Sequence, residues 1–210
     1  RLALGRNCMT LALNTDWGRA ELDAPLVGRF NAANLLAALT ALLVADVPLA
    51  DACAALAHVI PPPGRMQTLG GGEQPLIVVD YAHTPDALEK VLATLRECVG
   101  GGRLICVFGC GGNRDAGKRP LMGRVAEAGA DLVWLSSDNP RDEDPLAILA
   151  DVVAGMGKPR HRVEPDRARA IFEAIGEAKR GDVVLIAGKG HEDYQEIRGE
   201  RQPFSDLAVA

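Results

Sequence analysis

Aromatic residues are scarce in this chain: Trp, Tyr and Phe make up 4% of 210 residues, although 48% of residues are hydrophobic. Alanine, leucine and valine must then fill the apolar positions, which suits Ala-rich helices packed on a sheet. Basic residues are not in excess. Lys and Arg number 23 against 28 Asp and Glu, a net charge of -5, which argues against sequence-independent binding to nucleic acid. A local cationic pocket remains compatible with that total. Paired cysteines are also missing. Cys8, Cys53, Cys98, Cys106 and Cys110 are odd in number and contain no C-x-x-C. Neither a zinc ribbon nor a disulfide framework is expected, and a reduced cytoplasmic chain is. No apolar run reaches the ~18 residues of a membrane span, and no segment reads as a signal peptide. The chain opens on Arg1 rather than Met, and Leu2 to Leu13 already reads as structured. A piece of a longer polypeptide is expected.

What is present is a change of pattern along the chain. Residues 1–30 hold short alternating segments, such as Met9 to Leu13, split by Asn, Asp and Gly. They read as hairpin strands. Residues 31–46 switch to helical spacing, with Leu35, Leu36, Leu39, Leu42 and Leu43 in an Ala-rich background. A second helix is expected over 49–58. Ile60-Pro61-Pro62-Pro63-Gly64 stops a helix and stiffens a connection, so a boundary is placed between residues 62 and 63. Beyond it, short apolar strands alternate with amphipathic helices. Strands are expected at 76–80, 104–108, 131–136, 161–164 and 182–187, and helices at 85–98, 119–129, 145–156 and 166–179. This order implies an α/β fold, Rossmann-like, with a mostly parallel sheet covered on both faces. Ligands of such sheets bind at the carboxyl ends of the strands. Four polar segments fall there: 80–83, 109–118, 137–144 and 188–193. They are expected to form one site.

Each segment has a plain reading beside a functional one. Gly109 to Arg114 is either a tight strand-to-helix turn or a glycine-rich turn that presents Arg114. The dinucleotide fingerprint would need a third glycine where Arg114 stands. Gly112 to Arg119 matches the G-x4-G-K spacing of a P-loop, but Arg119 replaces the hydroxyl residue that would ligate Mg²⁺. It is read as a chance match. Asp138-Asn139-Pro140-Arg141 lies in an acidic turn that lacks the glycine and glutamate spacing of a calcium loop. Functionally it offers carboxylate, amide and guanidinium together. Arg binds carboxylates through two parallel hydrogen bonds, and an adjacent Asp can take an ammonium, which fits a zwitterionic amino acid. Gly188 to Asp193 supplies Glu192 as a second ammonium ligand. His-Glu-Asp in sequence rarely makes a metal site, and none is expected. Asp80 ends a strand and His83 precedes a helix, where a structural histidine is equally admissible. Asn31 and Asn34 could cap a helix or face a ligand.

Taken together, these segments resemble the Mur ligase family. Gly28-Arg-Phe-Asn-Ala-Ala-Asn34 is similar to its G-x-x-N-x-x-N segment, and Pro63-Gly-Arg-Met66 to the hinge into its third domain. Asp80-Tyr-Ala-His-Thr-Pro85 is similar to its D-Y-A-H-x-P motif. Asp138-Asn-Pro-Arg141 resembles the signature of the branch that uses meso-diaminopimelate, and Ala187-Gly-Lys-Gly-His-Glu-Asp-Tyr-Gln195 the corresponding late motif. The resemblance spans almost the whole chain. It implies an ATP- and Mg²⁺-dependent amide ligase that joins meso-diaminopimelate to UDP-N-acetylmuramoyl-L-Ala-D-Glu, as a monomer. Residues 1–62 would be the end of a central ATP-binding domain, and 63–210 the domain that binds the incoming amino acid. Asn34 would meet adenine, Arg65 and Asp80 the ribose or phosphates, and His83 the phosphates. Arg114, Asp138, Asn139, Pro140, Arg141, Gly188 and Glu192 would hold meso-diaminopimelate. A UDP-binding domain, a true P-loop and the Mg²⁺-binding lysine have no counterpart here. The chain alone is therefore expected not to ligate. Ala116 departs from a position that is often lysine in the family, which removes one possible phosphate or carboxylate contact. A lysine-adding or folylpolyglutamate-synthase-like ligase is the alternative enzyme, and Arg141 in its Asp-Asn-Pro-Arg setting argues against both. A non-catalytic amino-acid-binding module is the alternative of another class, which a nucleotide-binding domain upstream would exclude.

Overall fold

The computed structural model describes residues 1–5 and 8–210. The chain divides into two compact units, Arg1–Pro61 and Pro62–Ala210.

The first unit is an antiparallel three-stranded sheet with two helices. Strands β1 (Leu2–Leu4), β2 (Met9–Thr15) and β3 (Gly18–Ala24) pair in that order. Helix α1 (Arg29–Val44) buries Leu35, Leu39 and Leu43, a stripe at i, i+4 and i+8. Its apolar face is narrower than the leucine spacing implies, because Leu36 points outward and is 43% exposed. Helix α2 (Leu49–Leu56) adds Ala52, Cys53 and Leu56 to the same core as Met9, Leu11 and Leu22. Neither asparagine caps α1. The cap position is Gly28, while Asn31 Nδ2 donates back to the Val27 carbonyl and Asn34 Nδ2 to Asn31 Oδ1.

The second unit is a six-stranded sheet in the order β4-β5-β9-β6-β7-β8. Its strands are β4 (Gln67–Gly70), β5 (Leu76–Asp80), β6 (Leu104–Phe108), β7 (Leu132–Leu135), β8 (His161–Val163) and β9 (Val183–Ala187). All neighbours are parallel except β4, which runs antiparallel on one edge. Every residue of β5, β6 and β9 is buried, as expected for strands covered on both faces. Helices α3 (Pro85–Val99), α4 (Lys118–Gly129) and α5 (Pro145–Val153) connect successive strands. Helix α6 (Arg167–Glu177) packs Ala170, Ile171 and Ala174 against Ile77, Ile105, Val107, Val184 and Ile186. It carries the chain back from the β8 edge so that β9 enters between β5 and β6. The helices start where their caps allow. Thr84 accepts from the Ala87 N–H, Asp144 from Leu146 and Asp166 from Arg169.

Edge strand β4, a hairpin after β9 and the short helix that follows it were not foreseen. The hairpin pairs β10 (Tyr194–Ile197) with β11 (Glu200–Pro203). Its turn residues Arg198 and Gly199 have φ of 50° and 80°, the pattern of a two-residue hairpin turn. The short α7 (Asp206–Val209) follows, capped by Ser205.

Beneath the carboxyl edge of the sheet lies a charge pair with no solvent exposure. Arg167 donates from Nε to Asp206 Oδ1 at 2.7 Å and from Nη2 to Oδ2 at 2.8 Å, and both side chains are 0% exposed. The same guanidinium also donates to the carbonyls of Ser137 and Ala187. Burial works to lower the Arg167 pKa, but the Asp206 carboxylate outweighs it and holds the group above its ordinary value. Replacing Asp206 with Ala would leave that guanidinium buried without its counter-charge. The expected cost is about 3–5 kcal/mol of unfolding free energy, read from urea denaturation. The paired change Arg167→Met with Asp206→Leu should recover much of the loss.

Candidate functional site

Parallel strands place their carboxyl ends on one edge, and the loops that leave β5, β6, β7 and β9 line a cleft of about 350 Å³ there. Its wall includes Tyr81, His83 and Thr84 after β5, and Gly109, Cys110, Gly111, Arg114 and Lys118 after β6. Asp138, Asn139 and Arg141 come after β7, and Gly188 and Glu192 after β9. Of the eleven residues singled out from the sequence, seven therefore meet in one cleft. Pro140 sits in the same loop without lining it. Arg65 and Asp80 lie near the start of the second unit, and Asn34 belongs to the first.

The loops after β6 and β7 are tied together. The Gly112 N–H donates to the Asn139 carbonyl at 2.9 Å, and Arg141 Nη1 donates to the Gly112 carbonyl at 2.8 Å. A Cβ on Gly112 would collide with the Pro140 carbonyl oxygen, so only glycine permits this approach. Arg119 completes the joint. It is buried and pairs with Glu143 and Asp151 at 2.8 and 2.9 Å. The residue that stood where a P-loop needs a hydroxyl is thus an internal anchor. At the surface of the same turn, Asp142 accepts from Asn113 Nδ2 at 2.9 Å.

Arg141 is held in an unusual backbone state, with φ of 52°. Such strain persists where the surroundings over-determine it. Here its N–H donates to the Glu196 carbonyl and its carbonyl accepts from the Arg198 N–H, so hairpin β10–β11 clamps it from both sides. Glu196 also pairs with Arg141 Nε at 3.3 Å. Gln195 Nε2 donates to the Asp138 carbonyl at 2.7 Å. The hairpin residues have no chemistry of their own in the cleft, and the Arg-Gly turn was the only sequence signal for them.

The charges that face the cleft divide by sign. Arg114 is exposed and has no ion-pair partner among the described residues. Lys118 Nζ donates to the His83 carbonyl, at 3.0 Å. Asp138 accepts no hydrogen bond on its carboxylate among the described residues, and its Oδ2 lies over Gly188. A Cβ there would sit 2.8 Å from that oxygen. Glu192 is partly committed, since its Oε2 accepts from Asn139 Nδ2 at 2.9 Å and from Lys189 Nζ at 3.1 Å. Asn139 uses both ends of its amide internally and acts as a brace. Lys118 and Lys189 were not singled out from the sequence, because a lysine carries no signal until its neighbours are known.

On the β5 side, His83 Nδ1 lies 2.8 Å from the Tyr81 carbonyl. A carbonyl only accepts, so Nδ1 carries the proton and Nε2 is left as an acceptor in the neutral ring. The Tyr81 ring sits between the rings of His83 and His191, at 4.6 and 5.2 Å, with the Arg65 guanidinium 5.1 Å from its centroid. Asp80 is 5% exposed and both of its oxygens are taken, by the N–H groups of Met66 and Ala82. Burial raises its pKa above the usual carboxylate value, against those two donors and the Arg65 charge. It fixes the Arg65–Met66 turn to the strand end.

Residues 64–190 match the family described as Mur ligase, glutamate ligase domain. A UDP-N-acetylmuramoyl-L-alanyl-D-glutamate–2,6-diaminopimelate ligase from Chromobacterium violaceum is 59% identical over 203 residues, covering 96% of this chain and 41% of that protein. The ligase of the same name from Pseudomonas aeruginosa is 56% identical over 200 residues, with 95% and 41% covered. The chain thus spans about two fifths of the length of these relatives. A solved structure of a ligase with that name superposes at a TM-score of 0.80 with 46% identity, covering all of this chain and 43% of that one. A folylpolyglutamate synthase from Thermotoga maritima shares the fold at a TM-score of 0.70 and 19% identity, with 89% and 42% covered.

One cleft residue is chemically quiet. Cys110 is buried in the wall, and burial pushes its thiol up to about 12 against the lowering field of Lys118. Cys106 behind it is likewise raised to about 12 by burial. The thiolate is the reactive species. With Ellman's reagent at pH 8, only exposed Cys8 should react rapidly in the folded chain, and all five thiols after denaturation. Fast reaction of Cys110 would mean that the cleft wall opens.

Proposed function

The chain belongs to the Mur ligase family, and we propose that it forms the part of an ATP-dependent amide ligase that receives meso-diaminopimelate. The acceptor in this reading is UDP-N-acetylmuramoyl-L-Ala-D-Glu, in peptidoglycan precursor synthesis, as the names of the relatives indicate. The observation that carries it is the charge content of the cleft, which Arg114, Lys118 and Arg141 line together with Asp138 and Glu192. A diamino dicarboxylate brings two charges of each sign. Guanidinium groups take its carboxylates, and Asp138, whose carboxylate accepts no hydrogen bond among the described residues, takes an ammonium. L-Lysine has no distal carboxylate and would leave a guanidinium without its partner. Asn139, Pro140 and Gly188 shape the loops that carry these groups.

The remaining assignments follow the family. Residues 1–62 would belong to the central ATP-binding domain, with Asn34 at the adenine, and 63–210 to the amino-acid-binding domain. Arg65 and His83 would face phosphate oxygens, His83 through its free Nε2. Asp80 would act through the turn that presents Arg65. Among the described residues no group of three or more His, Cys, Asp or Glu is placed to hold a metal, so no role is assigned to them toward Mg²⁺. In the reaction ATP phosphorylates the terminal carboxylate of the dipeptide, releasing ADP. The amine attacks the acyl carbon, the bond to phosphate breaks, and the amine loses a proton as the amide forms. The residues of this chain would bind and orient the amino acid for that attack. A monomer in the cytoplasm is the accompanying proposal; no described helix is long and apolar enough to cross a membrane.

The test uses a full-length ligase that ends in this chain, following phosphate release with ATP, Mg²⁺ and the dipeptide. Release should occur with meso-diaminopimelate and not with L-lysine. Arg141→Ala should cost about 2–5 kcal/mol, seen mainly in KM for the amino acid. Release with L-lysine instead would refute the specificity. No release with either would refute the ligase reading.

A further inference from the structure

Lys189 is fully buried, yet the recognition scheme above gives it no task. Its ammonium donates to Asn139 Oδ1 at 3.0 Å and to Glu192 Oε2 at 3.1 Å. Asn139 Nδ2 donates to that same Glu192 oxygen at 2.9 Å, and Asn139 Oδ1 also accepts the Glu196 N–H at 2.9 Å. The three bonds that the amide makes fix which of its ends is oxygen. The result is a closed triangle of one ammonium, one amide and one carboxylate. Its corners come from the loop after β7 and the loop after β9, the two that carry Asp138, Arg141 and Glu192. The Tyr194 ring lies 5.6 Å from the ammonium and adds a favourable face from the hairpin.

We propose that Lys189 is a positioning residue for amino-acid recognition: it holds Glu192 by Oε2 so that Oε1 is presented to the ligand. Two physical reasons support this. Glu192 and Asp138 are carboxylates serving one cleft, and a buried cation behind one of them offsets their repulsion. A carboxylate fixed on one oxygen by two donors also loses little further freedom when the other oxygen meets an ammonium. The proposal rests on the assignment of meso-diaminopimelate to this cleft.

The test is calorimetric titration of meso-diaminopimelate into the 210-residue chain and five variants: Lys189→Met, Glu192→Gln, Arg114→Ala, and the doubles of Lys189→Met with each of the other two. Lys189→Met should weaken binding by about 10- to 100-fold, the usual consequence of losing an outer-shell partner. Glu192→Gln should weaken it comparably. The double variant Lys189→Met with Glu192→Gln should be no weaker than either alone, because one residue works through the other. Lys189→Met should instead add to Arg114→Ala, which sits on another loop. A merely structural lysine would lower stability and add equally to both. Should Lys189→Met fail to fold, the double variant has no unpaired buried carboxylate and Lys189→Gln retains a donor; either one carries the comparison with Glu192→Gln. Unchanged affinity in a folded Lys189 variant, or additivity with Glu192→Gln, would overturn the proposal. Absence of binding by the unmodified chain would count against the functional reading itself.

Discussion

Arg167 has no contact with water, and a guanidinium in that position must satisfy its donors internally or carry a penalty of several kcal/mol. It does so with three pieces of backbone or side chain that are far apart in sequence. The Ser137 carbonyl marks the end of β7, the Ala187 carbonyl the end of β9, and the Asp206 carboxylate the start of α7. The strand ends that launch both charged loops are thereby fixed to one planar group. If that group is misplaced, Asp138 and Gly188 no longer meet, and neither do Asn139 and Lys189. A hydrophobic substitute could match its stability, but it could not aim four hydrogen bonds at these three points.

Above that pair the charges form layers. The buried cations, Arg167, Arg119 and Lys189, each have carboxylate partners inside the protein. The cations at the cleft surface differ. Among the described residues Arg114 has no ion pair and Lys118 has only a carbonyl, while Arg141 shares its guanidinium between Gly112 and Glu196. Charge left without a full complement inside a cleft is charge available to a ligand. The same division explains why Asp142 and Glu143, adjacent to the most unusual motif, bind nothing in the cleft: their oxygens are already taken by Asn113 and Arg119.

Much of this arrangement was legible in the sequence. Continuous apolar runs such as Leu76 to Val79 and Val183 to Ala187 marked buried parallel strands, and their polar ends marked the cleft. Those are local signals, and helix caps such as Asp166 are too. What was not legible depends on distant partners. Strand β4 has no alternation of its own and exists because β5 offers an edge. Hairpin β10–β11 lacks the Asn-Gly signature, and Arg198 takes the positive φ instead. Asp80 and Asn139 looked like ligand contacts, and both prove to spend their polar atoms on neighbouring backbone and side chains. Lys189, flanked by two glycines, had no role assigned from the sequence, and its burial beside Glu192 gives it a part.

The claim on which everything above turns is that four loops at one sheet edge make a single receptor for a diamino dicarboxylate. Titrating meso-diaminopimelate into the ¹⁵N-labelled chain and following backbone amide shifts examines it directly. Perturbations should gather at residues 81–84, 109–118, 138–141 and 188–192, and L-lysine should produce much weaker ones. Shifts gathered instead along the groove between α3 and α4, lined by Leu92, Arg96 and Val125, would contradict it, as would a spectrum unmoved by either amino acid.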